Sequence, residues 1–269
     1  MIKLIACDLD GTLLPSHCRG LTRKTEKLIK SLLDRGVCFV AASGRSLGSE
    51  QSVFSEFGNK ITYIADNGAL CCHQGRLIYK HHINSWLCEE IYRKAKEYSN
   101  LQLAVYCEEG CFVENSSPVF IDYIKENEKI RVTIVEDLTQ IKLEATKITL
   151  FYTGDNQDTL ASYVAELSDF SREISQSGVL IMLTGNQRID FYTMFNKGVA
   201  LRYLMKTLDL KPEECMAFGD QVNDKELLSV VGHPYAMKKG NKDLHKIAGK
   251  TTASVDKILE EIIKEGDVG

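Results

Sequence analysis

The chain has no hydrophobic run approaching the roughly 20 residues that a bilayer-spanning helix needs. Its apolar start, Met1–Cys7, is far too short for a signal peptide and has no cleavage site. These absences predict a cytoplasmic protein with no membrane partner. There is also no block of lysine and arginine, and the balance is slightly acidic, 33 basic against 37 acidic residues. That excludes nucleic acid as the main partner. The nine cysteines include no CxxC pair, and several, such as Cys7 and Cys38, lie within apolar runs. An odd, scattered set of this kind reads as reduced, packed thiols rather than a disulfide framework. Cys71, Cys72, His73, His81 and His82, with Cys107 and Cys111 further on, have the residue types of a zinc site without its paired spacing. They are read as a surface hairpin with incidental cysteines. No internal repeat or low-complexity linker divides the chain.

What is present is an ordinary globular composition, 44% hydrophobic and 26% charged, over 269 residues. This is close to the size at which one core becomes two. In the first third, short apolar runs alternate with helical patterns. KLIAC (3–7), VCFVAA (37–42) and ITYIAD (61–66) are candidate strands. Between them, residues 22–35 carry helix-spaced Leu28, Leu32 and Leu33, with Thr22 as N-cap and Gly36 just past the end. Strands separated by helices imply a parallel sheet covered on both faces. The last third returns to this pattern, with helices at 197–208, 224–231 and 253–265 and strands at 214–220 and 234–237.

The middle differs. Helical stretches at 85–99, 118–128 and about 156–168 are interleaved with strand-like segments at 101–115, 147–154, 178–184 and 188–193, several of them adjacent as hairpins. The predicted fold class is therefore α/β: a doubly wound parallel-sheet core from residues 1–82 and 190–269, with a second α/β domain inserted at 83–189.

In LIACDLDGTLL (4–14) the first strand ends on Asp8 and Asp10, which share a side if the backbone stays extended. Gly11 permits a sharp turn, and Thr12 offers a hydroxyl beside the acids. A second strand ends on Asp220, in GDQVND. Ligands of open parallel sheets collect at the carboxyl ends of the strands. Acids gathered there repel one another unless a hard divalent cation is added, and magnesium suits a sparse set of carboxylates. A carboxylate beside such an ion can attack phosphorus, and a second acid can pass protons to and from the leaving group and water. Ser43, Gly44 and Arg45 follow the second strand and could present donors to an anion. Lys197 begins a predicted helix, where the dipole disfavours a cation by about 0.3–1 kcal/mol unless an anion lies nearby. Each feature has a plainer reading: Asp8 and Asp10 as turn formers, Ser43 as a helix cap, Lys197 as a solvated lysine, Asn223 and Asp224 as caps. The set, in an order that one sheet edge can gather, favours the site.

DLDGTLL, SGR, NKG and GDQVND resemble the four motifs of the haloacid dehalogenase superfamily, and in particular its Cof-type sugar-phosphatase branch. The resemblance implies a Rossmannoid core with a mobile α/β cap between the second and third motifs, closing over substrate and selecting the leaving group. By position it makes Asp8 the nucleophile and Asp10 the general acid/base. Magnesium would be held by Asp8, the Asp10 carbonyl and Asp220, with Asn223 and Asp224 in support. Ser43 and Lys197 would hold the phosphoryl group, and Arg45 and Asn67 would lie on the substrate side. Two departures stand out: Asn196 where the family often has serine, and AMKKGN (236–241), with an added residue and two lysines, where many members read AMxNA. The implied function is magnesium-dependent hydrolysis of a small phosphorylated metabolite: a sugar phosphate, nucleotide or vitamin phosphate. A phosphomutase or phosphotransferase would use the same residues. A non-enzymatic phospho-aspartate receiver would need only one small domain.

Overall fold

The computed structural model describes residues 1–14, 20–114, 118–174, 179–184 and 187–268. Asn115 and Gly178, at the margins of two predicted strands, lie outside them. The chain divides into two compact units, Met1–Lys80 with Phe195–Gly269, and His81–Met194.

In chain order the first unit begins with β1 (Leu4–Cys7), α1 (Arg23–Asp34), β2 (Cys38–Ala42), α2 (Leu47–Val53), β3 (Thr62–Ala65), β4 (Leu70–His73) and β5 (Arg76–Lys80). The second unit contributes α3 (Ser85–Ala95), β6 (Leu101–Cys107), β7 (Gly110–Glu114), α4 (Pro118–Glu128), β8 (Val132–Val135), β9 (Lys147–Tyr152), α5 (Gln157–Ile174), β10 (Val179–Thr184) and β11 (Arg188–Thr193). The first unit then resumes with α6 (Lys197–Thr207), β12 (Cys215–Gly219), α7 (Lys225–Ser229), β13 (His233–Met237), α8 (Lys242–Ala248), β14 (Thr251–Thr252) and α9 (Val255–Glu265).

Among the described residues, the first unit's sheet has the order β14-β13-β12-β1-β2-β3-β4-β5. Every pair from β14 to β3 is parallel, and β4 and β5 are antiparallel additions at one edge. The chain winds outward from β1 through β2 to β3, then returns to β1's other side with β12. The direction therefore reverses between β1 and β12, which is where a doubly wound sheet opens a crevice at its carboxyl edge. Strands buried on both faces explain the apolar runs read in the sequence. Ile5, Phe39 and Phe218 pack toward α1 and α9, and Leu4, Val40 and Ala217 toward α6, α7 and α8. A fully buried Leu or Phe contributes about 1.5–3 kcal/mol. Helix α1 starts where its cap predicted: the Thr22 hydroxyl accepts the Thr25 amide at 3.1 Å, and Gly36 follows with φ +82°.

One reading is corrected here. The segment with Cys71 and Cys72 is a hairpin, but its cysteines are not incidental to a surface. β4 pairs with β3 inside the core sheet, and both thiols are buried, Cys71 on one face and Cys72 on the other. His73 Nδ1 is bonded to the Thr62 hydroxyl at 2.7 Å.

The second unit's sheet has the order β10-β11-β9-β6-β7-β8, antiparallel except for β7 with β8. β11 pairs with both β9 and β10, so the unit extends to the end of that strand. Helices α3 and α5 cover one core, and α4 covers a second around Tyr106 and Phe120. Among the described residues no helix is long and apolar enough to cross a membrane.

Candidate active site

The crevice between β1 and β12 lies entirely within the first unit. Asp8 extends the ladder beyond β1, its amide bonded to the Phe218 carbonyl at 3.0 Å. The chain then turns through Gly11 at φ +90°. A Cβ there would fall 2.4 Å from Asp220 Oδ2, so only glycine lets the loop after β1 lie against the acid after β12. The Thr12 hydroxyl closes the same contact by donating to Asp220 Oδ1 at 3.2 Å.

Lys197 is the first residue of α6 and its side chain is 1% exposed. Its ammonium donates to Asp8 Oδ1 at 2.7 Å and to Asp224 Oδ1 at 2.6 Å. The anions that its place on the helix dipole calls for are therefore present. Asp224 Oδ2 accepts the amides of Asp220 at 2.9 Å and Gln221 at 3.1 Å, so this one carboxylate fixes both the lysine and the loop after β12. Asn196 supplies the α6 cap by accepting the Val199 amide at 3.0 Å. The AMKKGN segment turns back onto the site, with the Asn241 amide on the Asp220 carbonyl at 2.7 Å.

Burial, and then the Asp224 charge, push Asp8 well above the usual carboxylate range, while Lys197 pulls the other way. Burial likewise raises Asp220, with Asp224 adding to it. Burial works against the Lys197 charge, but Asp224 and Asp8 outweigh it and hold the ammonium above the ordinary lysine value. Asp8, Asp220 and Asp224 bring carboxylate oxygens within 4.8 Å of one another, and among the described residues they are the only such His, Cys, Asp or Glu group. Three buried acids face one ammonium, an imbalance that fits a hard divalent cation with oxygen ligands. The Cys71–His82 segment supplies no such group among the described residues.

The remaining predicted residues form a connected second layer. Ser43 is buried, and its hydroxyl accepts the Arg45 amide at 3.2 Å. Capping α2 falls to Ser46 instead, so Ser43 is not a helix cap. Asn67 has φ +55°; its amide is bonded to the Ser43 carbonyl at 2.9 Å, and its side chain lies against Gly44. Asn67 Oδ1 accepts from Asn223 Nδ2 at 3.0 Å, which ties Asn223 to this loop. Gly68, at φ +102°, packs flush on α6: a Cβ would meet the Asn196 carbonyl at 2.3 Å. Asp10 stands apart from the three buried acids. Its carboxylate is 59% exposed and is gripped by Arg45, Nε at 2.8 Å and Nη2 at 2.5 Å. Sequence reasoning missed Glu50, which is 0% exposed and, among the described residues, has no hydrogen-bond partner for either carboxylate oxygen. Its polar surroundings in GSEQS gave no periodic signal to place it inside.

The family model for haloacid dehalogenase-like hydrolases matches residues 5–262. The chain therefore belongs to this family of hydrolases, as its four motifs indicated. An HMP-PP phosphatase of Yersinia pseudotuberculosis serotype O:1b is 28% identical over 249 residues, covering 88% of this chain and 84% of that protein. A haloacid dehalogenase-like hydrolase from Bacteroides thetaiotaomicron has the same fold, with a TM-score of 0.84 at 21% identity over 97% of this chain and 100% of its own. A subclass IIB sugar phosphatase of the superfamily also shares it, with a TM-score of 0.74 at 20% identity over 99% and 100% of the two chains.

Proposed function

We propose that the chain is a phosphatase that hydrolyses a small phosphorylated metabolite through an aspartyl-phosphate intermediate on Asp8. The observation that carries this is the Lys197 ammonium buried between Asp8 and Asp224 at the carboxyl edge of the sheet. The lysine occupies Oδ1 of Asp8 and leaves the other oxygen for attack. Asp8, the Asp10 carbonyl and Asp220, with Asn223 and Asp224 in support, would hold a magnesium ion that neutralises the acids and the phosphoryl oxygens.

In the first step an Asp8 oxygen bonds to phosphorus as the ester bond breaks, and the leaving oxygen takes a proton from Asp10. In the second, Asp10 takes a proton from water, whose oxygen bonds to phosphorus and frees Asp8 with inorganic phosphate. Lys197 and the donors of the Ser43-Gly44 loop stabilise phosphoryl charge, and Arg45, Asn67 and Thr12 order the rim around it. The unit His81–Met194 stands between the second and third motifs, where the family's cap is inserted, and is assigned the choice of leaving group.

The test is a screen of sugar phosphates, nucleotides and vitamin phosphates, with and without magnesium. The compound that the Yersinia relative's name indicates belongs in the first set. Inorganic phosphate released in step with substrate loss is the expected result. A phosphorylated second sugar would identify a transferase, and a phosphorylated chain surviving for minutes would identify a receiver; either replaces the proposal.

A further inference from the structure

The family resemblance implies that Arg45 lies on the substrate side, yet in the fold its guanidinium grips another residue of the site. Nε and Nη2 donate to the two carboxylate oxygens of Asp10 at 2.8 and 2.5 Å. Two parallel bonds fix the plane of a carboxylate as well as its distance, which a single-point cation does not do. The backbone of Arg45 is itself anchored on both sides: its amide donates to the Ser43 hydroxyl at 3.2 Å, and its carbonyl accepts the Asp66 amide at 2.9 Å. Ser46, the next residue, caps α2. The fork is thus presented from a fixed point of the core. The backbone of Asp10 is held by a bridge to Leu14, but its carboxylate is oriented by the Arg45 fork. It lies in the turn after β1, its side chain is 59% exposed, and it is outside the cluster of Asp8, Asp220 and Asp224. An exposed ion pair contributes only about 0–1 kcal/mol to stability, so the pair has little value as a fastener. Its consequence is orientation.

We propose that Arg45 is a positioning residue for Asp10, its guanidinium holding the carboxyl in the orientation from which it exchanges protons with the leaving group and water. This rests on the phosphatase chemistry above, in which Asp10 is the acid/base group. A residue that positions the acid/base group acts on turnover. A residue that clamps substrate equally in ground and transition states acts on KM. Lysine at position 45 keeps the charge and loses the fork.

Phosphate release from phenyl phosphate, a poor leaving group that needs its proton, separates these roles in the full chain with magnesium. Arg45→Lys is expected to lower kcat about tenfold or more while KM moves less than about threefold. Asp10→Asn alone is expected to lower kcat further. Adding Arg45→Lys to Asp10→Asn should then change the rate by less than about threefold, because the group being positioned has gone. Unfolding temperatures establish that each variant is folded, and if Arg45→Ala proves unstable the lysine variant still reads the effect. A rise in KM with kcat retained, or effects of the two substitutions that multiply, overturns the positioning role and leaves the phosphatase reading intact. Full turnover by Asp10→Asn removes both.

Discussion

A single carboxylate, Asp8, carries the proposed chemistry, and its neighbours define what removing its charge should do. Burial and Asp224 disfavour its ionised form, and Lys197 retains Asp224 as a partner when Asp8 is neutralised. Asp8→Asn is therefore expected to abolish turnover and covalent phosphorylation while unfolding at the same temperature as the parent or higher. Near-normal rates in that variant would remove Asp8 as the nucleophile. Glu50 poses the opposite case, an acid with no place in the reaction. It lies wholly buried on α2, where Asp66, Lys197, Arg45 and Asp8 act on it, and burial, then Asp66, push it well above the usual glutamate range. A carboxyl whose folded pKa exceeds its unfolded one contributes fully below the unfolded value and loses that contribution as pH rises. The parent should thus lose stability on this account as pH climbs above about 4.3, by up to about 1.4 kcal/mol for each pH unit until Glu50 ionises. Glu50→Gln is expected to be more stable than the parent at pH 7.5, with a smaller gain at pH 5, by urea denaturation. An equal difference at both pH values would show that burial of the ionisable group is not the cause.

At the scale of elements, the site depends on where helices and strands begin and end. Helix α6 must start at Lys197 for the ammonium to reach both acids, and Asn196 sets that start through its bond to the Val199 amide. Asparagine and serine are comparable caps, so Asn196→Ser is expected to be nearly neutral, whereas Asn196→Ala should cost about 0.5–2 kcal/mol by thermal or chemical unfolding. A serine variant as damaged as the alanine one would point to a role for the amide beyond capping. Elements with a local signal were legible in the sequence. The Thr22 cap and α4 at Pro118–Glu128 stand where local sequence signals put them. Elements without one were not. Helix α2 reads LGSEQSV and has few apolar positions, β8 is only half-buried, and β14 has two residues. Each of these owes its conformation to partners distant in the chain.

At the scale of the molecule, the doubly wound topology turns acids 212 positions apart, Asp8 and Asp220, into neighbours on either side of the switch between β1 and β12. Strand-end acids, a turn glycine and a helix-starting lysine are local marks, so this part of the site could be read before folding. The grip of Arg45 on Asp10 and the bond from Asn223 to Asn67 could not, because long-range pairs leave no periodicity in one sequence. The gathered acids also couple ligand binding to stability of the fold that gathers them. A cation that binds the folded chain alone stabilises it by RT ln(1 + [L]/Kd), about 2.7 kcal/mol at a hundredfold excess over Kd. Magnesium is thus expected to raise the unfolding temperature in a concentration-dependent way. Asp220→Asn relieves part of the repulsion without the ion and removes a ligand, so it should start from an equal or higher unfolding temperature and gain less from magnesium. Thermal unfolding across a magnesium titration, with potassium at matched ionic strength as the control, measures both quantities. An Asp220→Asn chain that responds to magnesium as the parent does would place the ion elsewhere, and the convergence of β1 and β12 would then need another explanation.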